Sequence, residues 1–435
     1  MKTGLFLVFA VMVCLWPTTA QSQFDWELDV YESARAEDPV VRLQEKLDSG
    51  GLELTFDKKH GYLLSVLQHL GVSTSSQMLV FSKTSFQRPA ISPRKPRALY
   101  FSEDVYVGWV QDGDVLEVAS TDPKLGSIFY TLQQRKVPRP GFRRQNSECL
   151  QCHSGGLTLG VPGVHVRSVH PDDNGLPILR AGTFKTNHTS PLSERWGGWY
   201  VSGTHGREQH MGNQTVLDRE RPEEFDRSKE GNVTDLSKYF DTSPYVTPHS
   251  DIVALMILEH QAHLQNLITS ANYHAQRALR DQETFGRLAG ESTGELSAST
   301  IRRFEHASKR LLKYLLLVEE ATFRGPIVGT SEFSEQFMKR GPHDKKGRSL
   351  RDLDLSHRIF KYPCSYMIYS AAFDALPALF RKHVYGHLWE ILTSTEKGAD
   401  FSRLTKAQRE AILEILRDTK EGLPAYWHGP RSASL

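Results

Sequence analysis

Apolar residues recur at Leu63, Val66, Leu67 and Leu70, a helical spacing that predicts a helix within Gly61 to Leu70. The stretch around it, residues 24–95, alternates short helical and extended patterns and ends in a proline-rich connector from Arg88-Pro89 to Pro96. The pattern then changes. Ala98-Leu99-Tyr100-Phe101 and Val105-Tyr106-Val107-Gly108-Trp109-Val110 are rich in β-branched and aromatic residues, and Asp112-Gly113-Asp114 supplies a turn before Val115-Leu116-Glu117-Val118-Ala119. A β-hairpin is the natural expectation. β signals continue through 129–203, as in Gly163-Val164-His165-Val166-Arg167-Ser168-Val169 and Trp199-Tyr200-Val201, whereas 250–282, 298–322, 372–396 and 405–420 have helical periodicity. With no internal repeat and no long low-complexity segment, the pattern predicts an α+β fold: a mixed segment over 21–95, a β-rich region over 96–245 and a mainly helical region over 246–435.

Composition narrows the function classes. The 435 residues carry 53 Lys and Arg against 51 Asp and Glu, a formal charge of +2, which argues against a histone-like nucleic-acid binder and an acidic solvating tail. Hydrophobic residues at 39% and charged residues at 24% exclude a disordered or collagen-like chain. Lys2, the apolar run from Leu5 to Trp16 and the small residues Thr18 and Ala20 form a secretory-signal pattern over residues 1–20, with cleavage expected before Gln21. No later stretch is apolar and long enough to span a membrane, so a periplasmic or otherwise exported protein without a membrane span is expected. Cys14 leaves with the signal. Cys149, Cys152 and Cys364 then enter an oxidising compartment as an odd set.

Two of the three lie in Cys149-Leu150-Gln151-Cys152-His153, the spacing that attaches c-type haem. Two cysteines three apart reach the two vinyl groups on one porphyrin edge, and the next residue offers its imidazole to the iron. Both cysteines are then thioethers, and Cys364 stays a lone, buried thiol in Tyr362-Pro363-Cys364-Ser365-Tyr366. A zinc half-site and a thioredoxin-type dithiol are the competing readings. Zinc would need a second ligand pair, and no second Cys-x-x-Cys exists; the dithiol should end a strand and open a helix, whereas Ser154-Gly155-Gly156 argues for a loop.

At Cys149, Cys152 and His153 the chain resembles the c-type cytochromes. The resemblance implies one covalent haem c, held by Cys149 and Cys152, with His153 as the proximal iron ligand. It covers five residues; the strand-like stretches from 157 to 203 depart from the small helical cytochromes, so their fold and sixth ligand do not carry over. The block Arg195-Trp196-Gly197-Gly198-Trp199-Tyr200 is similar to large exported single-haem proteins, a likeness that brings no known activity.

The sixth iron position separates carrier from enzyme. His210 and Met211, in Gln209-His210-Met211-Gly212-Asn213 and near Gly203, Gly206 and Gly212, are distal candidates on a loop that could approach a flat porphyrin. His260 and His263 are the others: at about 100° per residue they share a sector of about 80° with Val253, Met256, Leu267 and His274, while Gln261, Gln265 and Asn272 take the other side. For each, a core role competes with a ligand role. A di-iron site would need Glu-x-x-His on two helices and a zinc protease His-Glu-x-x-His, and neither is present. Trp196, Trp199 and Tyr200 suit sheet core or a haem pocket; Arg135, Lys136, Arg139, Arg143 and Arg144 suit a solvated face, propionate pairing or an acidic partner. Three functions are expected to compete: one-electron transfer to a redox partner protein in the cell envelope, a peroxidase-like haem oxidoreductase with an open distal site, and a haem-based sensor or structural subunit.

Overall fold

The computed structural model describes residues 30–289, 295–393 and 399–429. The signal segment 1–20, with Cys14 and the cleavage pattern before Gln21, lies outside the described residues. The chain is α+β, with an antiparallel sheet in its first half and helices in its second.

The predicted hairpin is the centre of a seven-stranded sheet. Its strands are β1 (Met78–Val80), β2 (Arg97–Phe101), β3 (Val105–Trp109), β4 (Val115–Asp122), β5 (Gly126–Gln133) and β6 (Arg143–Arg144), with β9 (Trp199–Tyr200) added beyond β1. Two further pairs complete the strands: β7 (Val166–Val169) with β8 (Thr183–Thr186), and β10 (Gly203–Thr204) with β11 (Val328–Gly329). The sheet order is β6-β5-β4-β3-β2-β1-β9, every neighbour antiparallel. Asp112, at the turn between β3 and β4, takes a positive φ of 59°, a conformation in which aspartate is among the better tolerated residues. The sheet thus recruits strands from beyond the β-rich region, since β1 belongs to the 21–95 segment.

Helices α1 (Pro39–Asp48), α2 (Leu63–His69) and α3 (Ser147–His153) precede the second half. Asp38 caps α1 by accepting from the Val40 N–H at 2.8 Å, and its other oxygen accepts from the Tyr130 hydroxyl at 2.6 Å, which fixes the helix to β5. The second half holds α4 (Ile252–Ala289), α5 (Ala298–Leu315), α6 (Phe333–Lys339), α7 (Ala371–Asp374), α8 (Ala378–Thr393) and α9 (Lys406–Thr419). The helix expected over 298–322 stops at Leu315. The one expected over 372–396 divides at Pro377, whose ring and missing N–H exclude it from a helix interior; residues 394–396 lie outside the described set.

At 38 residues, α4 is about 57 Å long and is the axis of the molecule. Asp251 Oδ1 caps it by accepting from the Val253 N–H at 2.8 Å, while Oδ2 accepts from the Thr330 and Ser331 N–H groups at 2.9 and 2.8 Å. From Asp251 to Tyr273 every residue except His263 is buried. The polar side opposite the histidines is therefore inside as well. Gln261 Nε2 donates to Ser102 O at 2.8 Å, Gln265 Nε2 to Glu103 O at 2.5 Å and Asn272 Nδ2 to Lys124 O at 2.9 Å, so the helix's amides satisfy carbonyls in the strand connections. One apolar cluster, running from Tyr31 to Trp427, draws on all three segments of the chain.

Arg195 and Glu259, both fully buried, pair at 3.0 Å. The guanidinium also donates to Ser190 O through Nε at 3.0 Å and Nη2 at 2.6 Å, and to His188 O at 3.2 Å, so one side chain joins the 188–195 loop to α4. Removing one member of a buried pair strands the other charge. Arg195→Met is expected to destabilise the protein by about 3–5 kcal/mol, read as a lower midpoint in urea unfolding, and Glu259→Gln by less, because the amide oxygen can still accept from Arg195.

Candidate functional site

Cys149, Cys152 and His153 occupy the last turn and a half of α3, a seven-residue helix that ends at Ser154, where the chain turns away through Gly155. Spacings of three and four put all three side chains on one face. No disulfide joins the cysteines: Cys152 is exposed and Cys149 half-buried. Burial, with Glu117 and Glu148 adding to it, pushes the Cys149 thiol up to about 11. Thioredoxin-type chemistry needs the opposite shift. Among the described residues no group of three His, Cys, Asp or Glu side chains is placed to hold a metal ion.

His153 is oriented from both sides. Its Nδ1 bonds to Gly163 O at 2.8 Å, which leaves Nε2 as the ring's coordinating atom, and the Phe129 ring lies 4.8 Å away, centroid to centroid. Cross-strand partners Tyr106, Ala119 and Phe129 share one face of the sheet. The Tyr106 hydroxyl on that face bonds to Gln261 and Gln265, so α3 and α4 cover the same side. Burial lowers the His153 pKa, which favours the neutral ring that a metal requires.

The carbonyl of Gly163 is held in place by its neighbours. Gly163 N donates to His153 O at 2.9 Å, Ser127 N to Pro162 O at 3.0 Å and Asn266 Nδ2 to Val164 O at 2.8 Å, so the segment is clamped between α3, β5 and α4. A Cβ at residue 163 would collide with Asn266 Oδ1. The surface just after the motif is open: Gly155 and Gly156 are exposed, and a Cβ added at either would meet nothing within 4 Å. Two thiols without a disulfide, an imidazole with one ring nitrogen engaged and open space beside them suit a covalently attached porphyrin.

The distal candidates differ in what their ligating atoms already hold. His210 is buried, with Nδ1 accepting from Gly212 N at 2.9 Å and Nε2 3.3 Å from Gly231 O, and its ring packs against Trp196 and His205. Met211 is buried, its sulfur 3.6 Å from Ser168 Oγ. His260 is engaged at both nitrogens, Nδ1 with His188 Nδ1 at 2.7 Å and Nε2 with Ser365 Oγ at 2.7 Å. His263 differs: its Nδ1 is buried without a hydrogen-bond partner. The imidazole that packs beside His153 is one that sequence reasoning passed over, His165, with centroids 5.1 Å apart. That spacing is too small for an iron and a porphyrin plane to lie between the two rings.

A polar cluster fills the core behind these residues. His188 stacks on Tyr314 at 3.8 Å, and Glu259 Oε1 faces Thr186 and the Trp196 indole without a completed hydrogen bond of normal geometry. Burial raises the Glu259 pKa against the pull of Arg195. Of the basic run before the motif, Arg144 is structural, donating to Ala34 O at 3.0 Å and to Tyr31 O at 2.5 Å, whereas Arg135, Lys136, Arg139 and Arg143 are exposed. Trp196, Trp199 and Tyr200 are buried in the core cluster, and Cys364 is fully buried as expected. Two surface clefts of about 500 and 290 Å³ adjoin at Glu320 and Arg403, and neither includes a residue of the motif.

The chain matches no family model, and comparison with curated proteins and with solved structures finds no match.

Gly163→Val is expected to displace the carbonyl that orients His153 while leaving Cys149 and Cys152 in place, and a shift of the His153 ring resonances in NMR would show it. Burial holds His210 and His260 at about 3, against about 6.5 when unfolded. The unfolded chain thus binds more protons between those values, and stability is lost as pH falls from about 6.5 towards 3. Thermal melts should show that slope, and His260→Gln should flatten it.

Proposed function

We propose that this is an exported c-type haem protein carrying out one-electron transfer with a redox partner protein in the cell envelope. The observation that supports it is the single helical face presenting two free thiols and an imidazole whose Nδ1 is already bonded to Gly163 O. Cys149 and Cys152 would hold the porphyrin edge and His153 Nε2 the iron. When bound, haem c supplies an Fe(III)/Fe(II) couple that accepts and releases one electron. The protein's part is orientation and environment. Gly163 fixes the imidazole's rotation and makes it a better donor, Phe129 backs the ring, and α3 turns both sulfurs to one side. No helix among the described residues is long and apolar enough to cross a membrane.

One observation favours a second reading, a peroxidase-like haem oxidoreductase. The ligating atoms of His210, Met211 and His260 are engaged within the core, so none of these three is held ready as a strong sixth ligand. A weakly filled position would admit small molecules to the iron.

Mass spectrometry of the exported protein should show one covalently added porphyrin, lost in Cys149→Ala/Cys152→Ala, and His153→Ala should change the iron spin state. An unmodified polypeptide mass would overturn the proposal. The two readings part in the resting spectrum: low-spin iron indifferent to carbon monoxide and peroxide indicates the carrier, and high-spin iron that takes them up indicates the oxidoreductase.

A further inference from the structure

Three elements bring cationic side chains together beside, but not within, the Cys149–His153 turn. In the β7/β8 hairpin Arg167 is the direct cross-strand partner of Lys185. His165 stands two residues before Arg167 and so on the same hairpin face. Like charges set opposite each other in a hairpin are destabilising. From the helical side, His263 on α4 meets Tyr314 edge-on at 4.7 Å between centroids, and Arg310 precedes Tyr314 by one turn of α5 and so projects from the same flank. Asn266, one turn beyond His263, ties α4 to the start of the hairpin through Val164 O.

These residues feel one another's charge. Arg167 and Lys185 act on His165, Lys185 and Arg310 act on His263, and Arg310 acts on Lys185. Burial, helped by Arg310, lowers the Lys185 ammonium to about 8, so it still carries most of its charge at neutral pH. Among the described residues no ion pair neutralises Lys185, Arg310 or Arg167; Arg167 reaches only the Thr183 hydroxyl, at 3.4 Å. Both His165 Nδ1 and His263 Nδ1 are buried without a hydrogen-bond partner. Buried polar atoms are normally satisfied, and cations gathered without a counter-charge repel one another. An anion carrying several oxygen atoms would relieve both conditions.

We propose that His165, Arg167, Lys185, His263 and Arg310 form a binding site for a small oxyanion of the phosphate or sulfate type. The guanidinium and ammonium groups would give charge-assisted hydrogen bonds, and the two imidazoles would donate through their orphaned nitrogens. The site lies next to His153, whose ring is 5.1 Å from that of His165, yet the inference does not require haem.

Calorimetric titration of the full chain, as purified, with inorganic phosphate at constant ionic strength tests it, with chloride as the control anion. One phosphate site is expected, weakened about tenfold or more in Lys185→Gln and in Arg310→Gln. Each variant should also melt higher than the parent in phosphate-free buffer, since it removes repulsion. No phosphate binding, or binding indifferent to both substitutions, would overturn the proposal. The same titration on Cys149→Ala/Cys152→Ala separates the sources of oxygen ligands. Binding to that variant alone would assign the cluster to the porphyrin's own carboxylates and also overturn it. If the exported protein proves to carry no porphyrin, the two arms coincide and phosphate binding decides by itself.

Discussion

Burial of α4 on nearly all sides is the constraint from which the rest of the arrangement follows. A helix surrounded by protein has no water for its polar side chains, and each amide left unpaired would cost about 1–3 kcal/mol. Gln261, Gln265 and Asn272 meet that demand by bonding carbonyls in the strand connections, and Asp251 by capping the helix while gripping the 330–331 backbone. The sheet is thus fixed to the helix by directional bonds as well as by apolar contact. That fixing sets where β5 runs, and with it the position of Phe129 behind His153.

The same helix serves the candidate site through Asn266 and the core through Glu259. Asn266 holds the segment whose carbonyl turns His153, and Glu259 takes the buried guanidinium that closes the 188–195 loop. Both depend on the long helix staying in register against the sheet, so the orientation of one imidazole is tied to a packing arrangement many residues away. A short helix such as α3 would not hold its own geometry in isolation. Its seven residues keep their shape because Gly163 and Leu150 lie against the body of the protein.

What could be read along the chain was what is local. The period of α4, α5 and α9 and the alternation through 97–119 are carried by consecutive residues, and so is the Cys149–His153 motif. Long-range pairings were not legible: β1 meets β9 across more than a hundred residues, and nothing in Trp199-Tyr200 names Leu79 as its partner. Polarity at Gln261 and Gln265 does not give their exposure, because the helix is buried and spends its amides on loop carbonyls. His165 was overlooked because its closeness to His153 arises from the clamp on 161–164. The alternation of His165 and Arg167 with Val164 and Val166 was nonetheless a visible sign of a polar hairpin face.

The two margins of the large sheet bear on how the protein behaves at high concentration. β6 is two arginines long, and β9 is also two residues long, so neither side offers an extended row of unpaired amides to a neighbouring chain. Exposed strand margins recruit other copies when they are long, flat and apolar. Here one margin ends in positive charge and the other almost at once, so the sheet is closed to growth by strand addition while α3 emerges directly beyond the arginine end.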